Sequence, residues 1–82
     1  MKTYLKSTKH GESLKCFNSE NLTEIEVYTK SECFTRKYDD NNDINDSIKR
    51  DFAYGFVLAD KKTFNDSFIE FTKTLNNLSK EL

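Results

Sequence analysis

A chain of 82 residues makes one small domain with a thin core, since so short a chain buries only about 60–65% of the surface it exposes when unfolded. Hydrophobic residues are 35% of the chain and charged residues 33%, so seven Phe and four Tyr must supply much of the buried area. The net charge of −1 argues against a general nucleic-acid binder, MKTYLKSTKHG at the N-terminus holds no apolar signal core, and no stretch has the length of a membrane span.

The chain is therefore expected to be a cytoplasmic protein without a membrane partner. Eleven lysines against two arginines, many asparagines and no proline suggest an AT-rich genome, bacterial or phage.

Residues 3–38 read as short strands. Segments 3–9 and 13–18 flank His10-Gly11, where glycine can supply the positive φ of a tight hairpin. Pairing across that turn sets Leu5 opposite Cys16 and Tyr4 opposite Phe17. Residues 22–29 alternate, with Ile25 and Val27 on one side and Glu24, Glu26 and Tyr28 on the other. Residues 33–38 make a fourth strand. The expected meander buries Leu5, Leu14, Cys16, Ile25 and Val27. It places Cys16 and Cys33 two strands apart, roughly 9–10 Å, too far for a disulfide, which needs Cα atoms within about 7 Å. Both are expected as free thiols.

Residues 39–46 (DDNNDIND) hold four aspartates and three asparagines and read as an acidic loop. Segment 47–60 contains the unbroken apolar run FAYGFVLA, which periodicity cannot assign to helix or strand. A helix from Ile44 would take Asp43 and Asp46 as N-cap and N3 and end near Lys61-Lys62; a strand would be fully buried. The flanking charges favour the helix, and the aromatic content favours the strand.

The last element is the clearest. Thr63 and Asp66 resemble a capping box, and Phe64, Phe68, Phe71, Leu75, Leu78 and Leu82 fall within about ±40° of one line on a helix over 64–80 and beyond. All six are expected in the core. The fold class is thus α+β: a small antiparallel meander of three or four strands followed by one or two C-terminal helices packed on one face.

Four features carry functional readings. Ile69 lies about 140° from the helix stripe and is either one tolerated exposed residue or a contact for a partner. Tyr4, Phe17 and Tyr28, ringed by Lys6, Lys15, Glu24 and Glu26, would form an outer sheet face, either an ordinary solvated face or a binding surface with aromatic anchors. Asp39, Asp40, Asp43 and Asp46 would form an acidic patch able to imitate nucleic-acid phosphates. Asp39, Asn41 and Asp43 match the first ligand positions of a calcium loop, but Ile44 stands where its glycine belongs and Arg50 where its glutamate belongs, so no metal is expected.

No catalytic residues are assigned. His10 is the sole histidine and belongs to a turn, no CxxC, GxGxxG or HExxH occurs, and two glycines leave no phosphate-cradling loop. No cofactor is expected. The function read from the sequence is a non-enzymatic protein-binding module, with a homodimer as a second arrangement of the partner. In size and composition it resembles, in style alone, the phage and mobile-element inhibitors of host or defence proteins, anti-CRISPR proteins among them. The alternative is a nucleic-acid-linked protein, either an acidic mimic or a binder using the sheet face.

Overall fold

The computed structural model describes residues 1–81. Strands β1 (Lys2–Ser7), β2 (Ser13–Asn18), β3 (Thr23–Tyr28) and β4 (Glu32–Lys37) form an antiparallel meander, followed by helix α1 (Asn41–Ala53), strand β5 (Val57–Ala59) and helix α2 (Lys61–Glu81). The sheet order is β4-β3-β2-β1-β5, with every pair antiparallel. The α+β class, the meander and the C-terminal helix packed on one face agree with the sequence reading. The structure adds a fifth strand and a helix on the opposite face.

Geometry explains that addition. The chain leaves β4 at one edge and must reach β5 at the other, four strand spacings or about 19 Å away. A helix of 13 residues spans about 20 Å, so α1 is the right length to cross the sheet. It lays Ile44 on Leu5 and Phe17, with Leu22, Tyr38, Ile48 and Phe56 around them. After β5 a single residue, Asp60, turns the chain into α2, which covers the other face. There Phe64 packs on Leu14, Cys16 and Val27, joined by Tyr4, Ile25, Ala59, Phe68 and Phe71.

The β1–β2 register departs from expectation by one residue. Tyr4 pairs with Cys16 and Leu5 with Lys15, because the turn centres on His10 rather than between His10 and Gly11. Gly11 has φ of +99°, and a Cβ there would stand 2.6 Å from the Tyr28 hydroxyl. Since strand side chains alternate, one step moves all of β1 to the other face relative to β2. Leu5 therefore leaves the Leu14–Cys16 face and joins Phe17, and Tyr4 takes its place.

Segment 47–60 is helix and strand in turn. Helix α1 ends at Ala53; Gly55, at φ +99°, follows, its N–H bonds to the carbonyl of Phe52, and that of Phe56 bonds to the carbonyl of Asp51. This is a Schellman ending, which glycine favours because it adopts positive φ without a Cβ clash. Both helix starts also fall three residues earlier than expected. Asp40, not Asp43, caps α1 by accepting from the Asp43 N–H at 2.9 Å, and Asp60 accepts from the Thr63 N–H at 2.7 Å at the start of α2. The acidic stretch 39–46 is thus not a loop; from Asn41 onward it is the opening of α1, where carboxylates suit the positive helix end.

Candidate functional site

The aromatic face expected on the outside of the sheet does not exist as a surface. Phe17 is 1% exposed, beneath α1, with its ring centroid 6.4 Å from that of Tyr38. Tyr4 lies on the other face, 5.8 Å from the Phe64 ring. They share no surface, because each face is covered by a helix the sequence reading placed on one side only: Phe17 is buried and Tyr4 half-buried. Tyr28 is half-buried and ties the hairpins together by donating its hydroxyl proton to the His10 carbonyl.

Of the charged residues expected on that face, Lys15, Glu24 and Glu26 lie on the α1 side and form a seam there, whereas Lys6 pairs with Leu14 and stands exposed on the α2 side. Lys15 Nζ lies 3.0 Å from Asp51 of α1 and 3.6 Å from Glu24, and 4.7 Å from the centre of the Phe56 ring. Glu24 is buried; it accepts a hydrogen bond from the Tyr38 hydroxyl and lies 4.0 Å from Arg36. Burial by itself would lower the Lys15 pKa, but the hydrogen bond to Asp51 and the charges of Glu24, Asp51 and Glu26 outweigh it and leave the pKa raised. Burial likewise raises the Tyr38 hydroxyl, reinforced by its bond to Glu24. Every charge here is engaged by a neighbour, so the seam is suited to holding α1 in place rather than to receiving a substrate.

Of the acidic residues, one is engaged and three share a depression with cations. Asp40 caps the helix, while Asp39, Asp43 and Asp46 line a shallow depression together with Arg36, Lys37 and Arg50. Three cations beside three carboxylates leave no uniform negative surface of the kind phosphate imitation needs. The cysteines are free, Cys16 buried and Cys33 half-buried, and burial raises both thiols. A thiol held protonated in this way is a poor nucleophile. Among the described residues no group of His, Cys, Asp or Glu could hold a metal ion, and no helix is long and apolar enough to cross a membrane.

Exposed apolar side chains include Phe34 on β4, Phe52, Tyr54, Val57 and Leu58 around the end of α1 and β5, and the far end of α2, the one of these that continues a core stripe beyond the sheet. The 21 residues of α2 extend about 31 Å, while the six-residue strands extend about 20 Å, so the helix outruns the sheet it packs on. Phe64 is buried and Phe68 and Phe71 half-buried, but Leu75 is 50% exposed and Leu78 54%. Every residue from Leu75 to Lys80 is exposed. This corrects the expectation that the whole stripe belongs to the core; its sixth member, Leu82, lies outside the described residues. Ile69 is 50% exposed on the flank of the same helix, over a groove against the sheet.

Comparison with protein families, with curated proteins and with solved structures returned no match. The functional reading therefore rests on the geometry of this chain alone. Two of its exposed features, the end of α2 and the groove beneath Ile69, differ in character. The first is a convex apolar ridge, the second a polar cleft.

Proposed function

We propose that the protein is a non-catalytic binding module that engages a protein partner by laying the projecting end of α2 into a groove on that partner. The observation that carries this reading is the continuation of the core stripe, past the edge of the sheet, into the half-exposed pair Leu75 and Leu78. Apolar anchors at i and i+3 on a projecting helix are the pattern by which helices dock in grooves. A concave partner is preferred to a second copy on grounds of area. Two leucines against two leucines fall well short of the roughly 800 Å² per partner of a stable interface, whereas a groove covers the flanks of the helix as well.

The protein reading is preferred to the nucleic-acid one because Phe17 and Tyr4 pack in the core and Asp39, Asp43 and Asp46 share their depression with Arg36, Lys37 and Arg50. The narrower idea of a cytoplasmic phage or mobile-element inhibitor of a host or defence protein rests on size and composition; it requires that the captured partner lose activity when bound.

Photo-crosslinking from positions 75 and 78, with position 20 as control, identifies what touches the ridge. Binding of the purified partner to wild type and to a Leu75→Ser, Leu78→Ser variant then decides. The expected result is loss of binding with unchanged melting. Equal binding by the two would refute the ridge, and a wild-type dimer in sedimentation that the variant lacks would make the occupant a second copy.

A further inference from the structure

A groove of about 560 Å³ runs along the flank of α2, closed on the other side by Glu12 and Leu14 at the start of β2. It is independent of the leucine ridge, and its chemistry is specific. Among the described residues, two buried side-chain polar atoms have no hydrogen-bond partner, Glu12 Oε1 and Ser67 Oγ, and both residues line this one groove. Ser67 is 3% exposed. Elsewhere on α2, Thr72, Thr74 and Ser79 donate to backbone carbonyls three or four residues earlier, the usual way a helical hydroxyl is satisfied. Ser67 makes no such bond. Buried polar groups are nearly always paired, so two orphans in one cleft point to a ligand that pairs them.

The orphans define what that ligand must carry. A carboxylate only accepts, and a hydroxyl accepts as readily as it donates, so the group meeting both must be rich in donors. Asp66 and Glu70 add two more carboxylates to the wall, although Asp66 is paired with Lys62 at 2.9 Å and Glu70 with Lys73 at 3.5 Å. Glu12 has no such cation in contact. These carboxylates do not converge on a metal site, as no cluster of ligating side chains forms among the described residues. Leu14 and Ile69 give the groove an apolar wall that would lie along an aliphatic stem.

We propose that this groove binds an alkyl ammonium or guanidinium group, with Glu12 Oε1 and Ser67 Oγ accepting its N–H protons and Leu14 and Ile69 packing on its stem. The reading makes Ile69 a contact for a ligand's stem, one of the two roles its helical position allowed. Lys30, also on the groove wall, acts as an intramolecular competitor for the same carboxylate.

Two sources share this chemistry, a lysine or arginine side chain of a peptide and a free aliphatic diamine. NMR titration with Nα-acetyl-arginine amide, Nα-acetyl-lysine amide and 1,5-diaminopentane separates them by which saturates first. Tetramethylammonium serves as a cation without N–H donors, and norleucine amide, acetylated likewise, as a stem without charge. Saturable shifts centred on the amides of Glu12, Ser67 and Ile69 are expected for one or more of the three donors. Affinity should fall about tenfold or more in Glu12→Gln and in Ser67→Ala, through loss of a charge-assisted or buried acceptor, and rise in Lys30→Ala. Should Ser67→Ala fail to fold, Glu12→Gln decides by itself, since Glu12 is only half-buried and lies just before β2. The idea is overturned if none of the donors shifts these amides, if tetramethylammonium binds as well as they do, or if Glu12→Gln binds unchanged. None of these outcomes depends on the leucine ridge.

Discussion

The two faces of the sheet are covered by helices held in opposite ways. Helix α2 meets its face through side chains that are almost all apolar, with an aromatic series from Tyr4 through Phe64 and Phe68 to Phe71, neighbouring centroids 5.8–6.2 Å apart. Helix α1 brings a smaller apolar contact around Ile44 and adds the seam of Lys15, Asp51, Glu24 and Arg36. Apolar contact is strong but tolerant of sliding, whereas an ion pair at 3.0 Å accepts one position. The comparison teaches a division of labour: α2 supplies most of the burial, and the seam fixes where the crossing helix lies.

The sharpest way to break this contrast is Lys15→Met. It strands Asp51 without its cation and leaves Glu24 only the more distant Arg36, and a loss of about 3–5 kcal/mol is expected in urea unfolding. Adding Asp51→Leu should restore much of that loss, because a well-packed apolar pair can replace a buried ion pair. If the double variant is no better than the single one, the seam contributes more than pairing. The same two proteins sharpen the point with pH. The folded-state pKa of Lys15 is raised, so its contribution is fully present below the unfolded lysine value of 10.5 and fades as pH rises through the folded value. Wild type should lose stability above about pH 10.5 relative to the double variant.

On the other face, Phe64→Ala should cost about 3 kcal/mol by opening a cavity between α2 and the sheet, with no change in the alkaline limb of stability. Asp40→Ala should cost about 1 kcal/mol through loss of the α1 cap, visible as faster amide exchange at Asp43 and Ile44. Smallest of all, Leu75→Ser with Leu78→Ser should alter the unfolding free energy by less than about 0.5 kcal/mol, since both residues stand beyond the sheet.

Alternation in 22–29 and the apolar helical spacing from Phe64 made β3 and α2 legible in the sequence. Register was not legible: whether a turn centres on His10 or half a residue later depends on how Gly11 fits beneath the Tyr28 ring, a contact from another strand. The run FAYGFVLA misled because it was weighed as one element, although Gly55 carries the local signal of a helix stop followed by a strand. Each helix start offers more than one capping residue, Asp40 or Asp43 for α1 and Asp60 or Thr63 for α2, and only the backbone chooses between them. The wealth of Asp and Asn in 39–46 signals a helix cap, but the cap is Asp40 and the residues after it belong to α1 rather than to a loop. The fate of Phe17 could not be read locally, since it is covered by a helix whose path depends on β5 pairing with β1. Ser67 gave no signal at all; a serine beside a phenylalanine stripe is notable only once its hydroxyl is seen without a partner.

The placement of both helices after the strands has a consequence for synthesis. Residues 1–40 are made before Ile44, Phe64 and Phe68, so a meander formed at that stage would have no cover on either face. At roughly 5–20 residues per second that interval lasts a few seconds. Pairing of β5 with β1, from Tyr4 with Ala59 to Lys6 with Val57, must then join segments more than 50 residues apart, so the final closure is the slow, long-range step. A ribosome-bound chain stalled so that only residues 1–40 are exposed should bind a hydrophobic dye that the released protein ignores. The nascent sheet, open on both sides, is where a chaperone would find this protein.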